Sequence, residues 1–358
     1  MNFNLKLTLK SFPIWMGLWG LSCIYRVLHF CRNQLYQFKI LAQFQSKKTV
    51  ISIGNITVGG TGKSPVVSSI LTFLEQYNVP LAVLTRGYGR KVKTRPVILN
   101  QESRPKQNIL ECGDEPWMLS LRHPETSFYI SANRAKSARS GQDSADIFVM
   151  DDGMQHLRLK RELDICLVDA VCGFGNGQLL PLGPLREPLK NINRVDAIII
   201  TKTNLESETS IEDTLKVNLT KEIPIFKAQY KPVFIRGYGI EEKTSIDALI
   251  DKNCILISGI GNPRGFEKTI QSLRGNILRH FTFQDHYGFD ENVLSKIEKE
   301  ISHEKFDYII TTEKDFVKMR FLEKTIPKLC YLEMEMVIGD KFFNFLKGFL
   351  ITRKIIQD

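Results

Sequence analysis

The sequence predicts an α/β fold, with a parallel-sheet domain, a second and smaller α/β domain, and an amphipathic helix at the amino terminus. Three observations predict it. Short β-branched runs alternate with helical stretches, a glycine-rich loop ending in Lys63-Ser64 joins one such run to a helix, and no Asp or Glu precedes Glu75.

The amino-terminal element is first in the chain. Lys6, Lys10, Arg26, Arg32, Lys39, Lys47, Lys48 and Lys63 all precede the first acid, so the stretch is purely cationic within a chain of net charge +10. Phe12 to Tyr25 carry no charge and include Trp15 and Trp19, yet about 14 residues fall short of the roughly 20 that span a bilayer. A cleaved signal peptide is disfavoured as well, because no small-residue cleavage site follows. Leu21, Leu28, Cys31, Leu35, Phe38 and Ala42 recur at helical spacing, with Arg32 and Lys39 on another side. Segment 1–48 therefore reads as a helical element lying at an anionic membrane interface; packing of the same helix on the protein's own core is the alternative.

The remaining length suits two domains, since the chain has 358 residues in all. An apolar fraction of 43% and a charged fraction of 25% exclude wholesale disorder and a polytopic membrane protein. Seven cysteines without a C-x-x-C pair point to reduced thiols. Val50 to Ile53, Leu81 to Leu84, Ile147 to Met150, Leu163 to Val168 and Ala197 to Ile200 read as buried parallel strands of a domain at 49–223. Strands at Cys254 to Ser258 and Tyr308 to Thr311 mark the smaller domain, 224–338. Within it, Cys330 to Val337 is expected to pair with the extended segment Ile225 to Ile235 as a two-stranded connection. A last helix falls in 339–358.

The strand at Val50 to Ile53 runs into Gly54-Asn55-Ile56-Thr57-Val58-Gly59-Gly60-Thr61-Gly62-Lys63-Ser64, and the apolar helix Val66 to Tyr77 follows. Glycines let successive N–H groups turn onto phosphate oxygens, and the helix amino terminus adds its dipole. Asn55 and Thr57 to Ser64 are thus candidate ATP-binding residues, with Lys63 reaching the phosphates and Ser64 binding Mg²⁺. Thr57 stands where G-x-x-x-x-G-K-S/T has its first glycine. The first domain is accordingly expected to be P-loop NTPase-like.

Asp151 and Asp152 end the strand Ile147 to Met150, where a strand delivers carboxylates to a metal beside the loop. Arg86 and Arg90 cluster cations after another strand, either for an anionic substrate or as a solvated loop. Asp114 and Glu115 offer carboxylates near a helix start, either as caps or as a general base for a hydroxyl. Asp285-His286 is open between a structural and a catalytic pair.

These segments together resemble the tetraacyldisaccharide 4′-kinase family. The resemblance rests on Gly54-Asn55 with Val58 to Pro65, Thr85 to Gly89, Gly113 to Pro116, Asp151 to His156, Leu182 to Pro188, Asp285 to Tyr287 and Thr312 to Asp315, in the family's order. It implies transfer of the γ-phosphate of ATP to the 4′-hydroxyl of an acylated glucosamine disaccharide 1-phosphate. It also implies that Asp114 and His286 form the dyad activating that hydroxyl, that Asp151, Asp152 and Glu187 surround the metal-nucleotide site, and that Gln155 and His156 lie nearby. Met154 departs mildly from the aromatic residue common in the family. The expected partners are the lipid substrate and the cytoplasmic face of the bacterial inner membrane, held peripherally, with no obligate protein partner. Nucleic acid is not expected, because no aromatic-basic platform motif is present. The competing class is a P-loop NTPase switch or metal-insertion chaperone, favoured by a faint similarity of Thr312 to Asp315 to a guanine-reading N-K-x-D.

Overall fold

A computed structural model describes residues 12–91, 95–205, 209–237, 243–285, 287–319, 326 and 328–357. The first part of the chain supplies strands β1 (Thr49–Asn55), β2 (Leu81–Thr85), β3 (Val97–Leu99), β4 (Ser127–Ile130), β5 (Ile147–Asp151), β6 (Leu163–Asp169) and β7 (Ala197–Thr201). Then come β8 (Ile225–Gly237), β9 (Thr244–Ser245), β10 (Asn253–Ser258), β11 (Asn276–Thr282), β12 (Tyr308–Thr312) and β13 (Leu329–Ile338). The helices are α1 (Phe12–Gln37), α2 (Lys63–Glu75), α3 (Ile109–Cys112), α4 (Asp114–Arg122), α5 (Arg134–Ser140), α6 (Thr209–Asn218), α7 (Pro263–Ser272), α8 (Glu291–Ile301), α9 (Glu313–Met319) and α10 (Asp340–Thr352).

All the described strands join one sheet, in the order β11-β10-β12-β13-β8-β7-β6-β1-β5-β2-β4-β3, with β9 paired to β8. β1 lies between β5 and β6, parallel to both, and its Val50, Ile51 and Ile53 are fully buried, as a strand covered on both faces requires. The five strands read from β-branched runs in the first part are all present. β3, β4 and β11 were not legible: two are short, and β11 is an exposed edge strand whose sequence lacks a continuous apolar run.

β8 and β13 explain how the two parallel groups meet. β8 pairs in parallel with β7 at Ile225 to Lys227, then continues past the end of β7 and pairs antiparallel with β13 from Ala228 to Gly237. This is the two-stranded connection expected from the sequence. Because β13 runs back along β8 and is parallel to β12, the strands β10, β12 and β13 point toward the strands of the first group. The carboxyl ends of both groups therefore face one cleft. α10 leaves β13 and returns to the first group, burying Phe342, Leu346 and Leu350 there and stacking Phe343 on Phe73 of α2 at 4.8 Å.

α1 corrects the bounds of the amino-terminal helix. The helix ends at Gln37, so Phe38 and Ala42 lie beyond it. Its buried stripe is polar, Ser22, His29 and Tyr36, while Leu21, Leu28 and Leu35 of the expected apolar face are exposed, Leu28 by 65%. Ser22 Oγ donates to the Leu179 carbonyl at 3.0 Å, and the Tyr25 hydroxyl donates to the Arg186 carbonyl at 2.6 Å. Arg32, read on another side from the apolar face, donates to the Gln155 carbonyl at 2.7 Å. The length reading is corrected too: Ile14–Gln37 is long and apolar enough to cross a membrane by length and composition.

Candidate active site

The carboxyl edge of the first strand group holds the glycine loop. β1 ends at Asn55, and the chain turns through Gly62 at φ 80° into α2, whose first residue is Lys63. A side chain at Gly62 would be strained by that backbone and would meet the Met336 methyl at 2.6 Å. The loop is fixed from outside. Val58 N–H donates to the Pro184 carbonyl at 2.8 Å and Arg186 N–H to the Ile56 carbonyl at 2.7 Å, so the Leu182 to Pro188 motif straps the loop's first half. Thr201 Oγ1 donates to the Thr61 carbonyl at 2.9 Å, and Lys202, held by Asp169, donates to the Gly60 carbonyl at 2.6 Å. With these carbonyls tied back, the loop keeps N–H groups for an anion.

Lys63 Nζ donates to Asn55 Oδ1 at 3.2 Å and lies 3.8 Å from Asp152 Oδ1. β5 delivers Asp151, and Asp152 turns the chain at φ 49°, a conformation Asp tolerates, so both carboxylates stay at the strand end. Asp151 is buried; Thr85 Oγ1 donates to its Oδ2 at 3.0 Å, and its Oδ1 is buried without a hydrogen-bond partner. Burial, then the nearby Glu115 and Asp152 carboxylates, push Asp151 up to about 6 against the pull of Lys63 and Thr85. Ser64 Oγ donates to Glu115 Oε2 at 3.2 Å.

Among the described residues no three His, Cys, Asp or Glu side chains form a ready-made metal cage. A cage is not what Mg²⁺ beside a nucleotide needs, since one or two carboxylates plus phosphate oxygens and water complete its shell. The orphaned Asp151 oxygen and the crowded carboxylates beside Ser64 fit such an ion.

Asp114 opens α4, with Gly113 rather than an Asp side chain at the cap position, so Asp114 lies in the first helical turn. Its Oδ2 is 3.8 Å from Lys318 Nζ of α9, across the cleft. His286 lies outside the described residues. Its neighbours bracket the same place: Lys318 Nζ donates to the Tyr287 carbonyl at 3.3 Å, and Lys314 Nζ to Asp285 Oδ1 at 3.2 Å.

Three expected side chains are placed differently. Arg90 is 4% exposed and donates to the Ile130 and Arg95 carbonyls, so it holds its loop on β4 and does not face a substrate. Gln155 donates to the Asn55 carbonyl and to Glu187 Oε1, both at 2.8 Å, and accepts from Arg186, which makes it a brace under the loop. Glu187 is 1% exposed, with Arg194 donating to Oε1 at 2.9 Å and Asn191 to Oε2 at 3.0 Å, so its oxygens are taken up beneath the loop instead of facing a metal. Burial alone would raise its carboxyl; the Arg194, Asn191 and Gln155 bonds outweigh it and hold the group below the usual range. Arg86 is exposed at the mouth. His156 has Nε2 buried and without a hydrogen-bond partner and is held down to about 3 by burial and by Arg134, Arg161, Arg158 and Arg32.

Sequence reasoning missed Asp169 and Lys202, although both directly follow strand residues at a carboxyl edge, and it missed Arg186, which clasps Asp152 at 2.8 Å. It missed Lys318 as well, for which no local signal exists.

The profile of the Tetraacyldisaccharide-1-P 4′-kinase family matches residues 14–350. The chain belongs to that family. The tetraacyldisaccharide 4′-kinase of Syntrophus aciditrophicus is 33% identical over 88% of this chain and 87% of its own. That of Ruthia magnifica is 31% identical over 96% of this chain and 98% of its own. The solved structure of LpxK from Aquifex aeolicus in complex with ATP is 27% identical, with a TM-score of 0.77 over 94% of this chain and 99% of that one. This family member is a kinase of lipid A biosynthesis.

Proposed function

We propose that the chain transfers the γ-phosphate of ATP to the 4′-hydroxyl of a tetraacylated glucosamine disaccharide 1-phosphate, with the loop site handling the donor and the α4 face handling the acceptor. The observation that supports this reading most is a tied-back glycine loop whose Lys63 stands beside Asp152 and whose Ser64 bonds Glu115, which places the neighbouring Asp114 carboxylate at the same site.

Asn55 shapes the loop, the N–H groups of Thr57 to Ser64 other than those of Val58 and Thr61, which bond within the protein, cradle the phosphates, and Lys63 neutralises charge that spreads onto the γ-phosphoryl oxygens. A magnesium ion held by Ser64, Asp151 and Asp152 would supply further neutralisation across the β- and γ-phosphates. The sugar hydroxyl oxygen attacks phosphorus as the bond to the bridging oxygen breaks, and that bond's electron pair leaves with ADP. Asp114 accepts the hydroxyl proton, with His286 as its dyad partner. Arg86 and His156 contact the anionic substrate, while Gln155, Glu187 and Arg90 hold the surrounding loops.

The chain works at the cytoplasmic face of the inner membrane, where ATP and the lipid meet, and docks peripherally. α1 supports this: Trp19, Ile24, Leu28 and Phe30 are each more than half exposed, and no part of the described protein covers them. Its polar stripe from Ser22 to Tyr36 lies on the protein, which fits a helix lying in the interface rather than one crossing it. Segments 49–223 and 224–338 act as two domains hinged at β8 and β13, closing to exclude water.

The test uses ATP labelled at the γ-phosphate and the tetraacyl disaccharide 1-phosphate in mixed micelles. Label should enter the lipid as an alkali-stable monoester at the 4′ position. Steady ATP hydrolysis with no labelled lipid would overturn the reading in favour of an NTPase.

A further inference from the structure

We propose that Lys318 is a positioning residue for Asp114, joining the acceptor side of the site to the second strand group. The inference rests on the assignment of Asp114 as the base.

α4 and α9 lie antiparallel with a charge pair at each end. At one end Arg122, in the last turn of α4, clasps both oxygens of Glu313 in the first turn of α9, and its guanidinium also lies 3.7 Å from Glu333. That end is a lock: Arg122 and Glu313 are both largely buried and share two hydrogen bonds, a geometry that fixes position. The other end is built differently. Lys318 Nζ donates to Asp315 Oδ1 at 2.9 Å and to the Tyr287 carbonyl at 3.3 Å, and stands 3.8 Å from Asp114 Oδ2.

An ammonium has three N–H bonds, so two are committed to the second strand group and one is left for the Asp114 side. At 3.8 Å the ammonium attracts the carboxylate without a direct hydrogen bond to Oδ2. The charge draws that oxygen toward α9 and holds the carboxylate at the start of α4. Asp315 makes the anchor rigid: it is fully buried, accepts from Gly259 N–H and Thr312 Oγ1 at 2.8 Å each, and cannot follow Lys318 into the cleft. The Tyr287 carbonyl belongs to the loop that carries His286. One ammonium therefore sets the spacing between Asp114 and that loop whenever the cleft is closed. The Thr312 to Asp315 motif, faintly similar to a guanine-reading sequence, serves here as the mount for Lys318.

The experiment compares Lys318→Met, Lys318→Gln and Lys318→Arg with Asp114→Asn and the double variant Asp114→Asn/Lys318→Met, measuring lipid phosphorylation, ATP binding and thermal midpoint on the same samples. Removing the charge should lower kcat by about tenfold to a hundredfold, as misplacement of a catalytic group does, with the KM for ATP within about twofold. Arg should restore a large part of the loss, and the double variant should be no slower than Asp114→Asn. Charge-removing variants that fold, bind ATP and turn over normally, beside an inactive Asp114→Asn, would overturn the role of Lys318 alone. An active Asp114→Asn would overturn the base assignment and this role with it. If the Met and Gln variants do not fold, Lys318→Ser is measured in their place with the same readouts, and a folded Ser variant with an unchanged kcat/KM for lipid but a lower midpoint marks Lys318 as structural only.

Discussion

The loop site and the α4–α9 seam adjoin at the Ser64–Glu115 hydrogen bond, yet they are built in opposite ways. The loop site is local in sequence: strand, glycines, Lys63 and Ser64 are contiguous, and Asp151 and Asp152 end the neighbouring strand β5. The seam is assembled from α4 and α9, nearly two hundred residues apart, and Arg122 bonds Glu313 at a sequence separation of 191. In the proposed function the loop site binds a donor whose phosphates look alike in every enzyme of its kind, so a rigid strand-loop-helix unit suffices. The seam has to meet a particular acceptor and can form only when the two strand groups come together.

That contrast sets the size of the mutational effects. Lys63→Ala should cost about 10²- to 10³-fold or more in transfer, since it removes a preorganised charge from developing phosphoryl oxygens, and Ser64→Ala should follow it. Near-normal turnover by both variants would mean that the loop does not hold the donor. Asp114→Ala should lower kcat by about 10²- to 10⁴-fold and leave the KM for ATP nearly unchanged. A destabilised Asp114→Ala protein with full turnover per folded molecule would return Asp114 to the role of a first-turn helix charge.

A smaller effect separates structure from chemistry near the mouth. An unfolded histidine takes its proton near 6.5, whereas His156 stays neutral down to about 3 in the folded chain. On acidification the unfolded state gains the proton first, so stability falls as the pH drops from about 6.5 toward 3. By pH 5 this group accounts for about 1 to 2 kcal/mol of lost stability, after allowance for its partial exposure. His156→Gln should flatten that limb, read as the midpoint difference between pH 7 and pH 5; identical slopes in the two proteins would show that His156 is not held neutral. The smallest effect on chemistry belongs to α1. Trp15→Ser with Trp19→Ser should weaken binding to anionic vesicles roughly tenfold per tryptophan while sparing turnover on micellar substrate. Unchanged vesicle binding would move the anchor elsewhere.

What the sequence revealed follows the same division. Periodicity and glycine placement located β1, the loop, α2 and β5, because each depends on neighbours in the chain, whereas the β8–β13 pairing joins segments about a hundred residues apart and was read only from two extended runs. Direction was not legible. Arg90, Gln155 and Glu187 stand in the right motifs, but a motif gives chain position and not which way a side chain turns, and all three turn inward as braces. α1 shows the same limit, since helical spacing marked its apolar face but its docked stripe is polar. Lys318 lies beyond any local rule, for its partners Asp114, Tyr287 and Asp315 meet only through the fold of the sheet.

The central claim is that the loop serves the donor and the seam serves the acceptor. Single-turnover measurements test it most directly, with ATP binding and phosphate transfer to lipid followed separately in Lys63→Ala and Asp114→Ala proteins. The account predicts that Lys63→Ala weakens ATP binding and transfer together, while Asp114→Ala binds ATP like the unaltered protein and fails at transfer. Equal loss of ATP binding in both variants, or transfer preserved in Asp114→Ala, would contradict it.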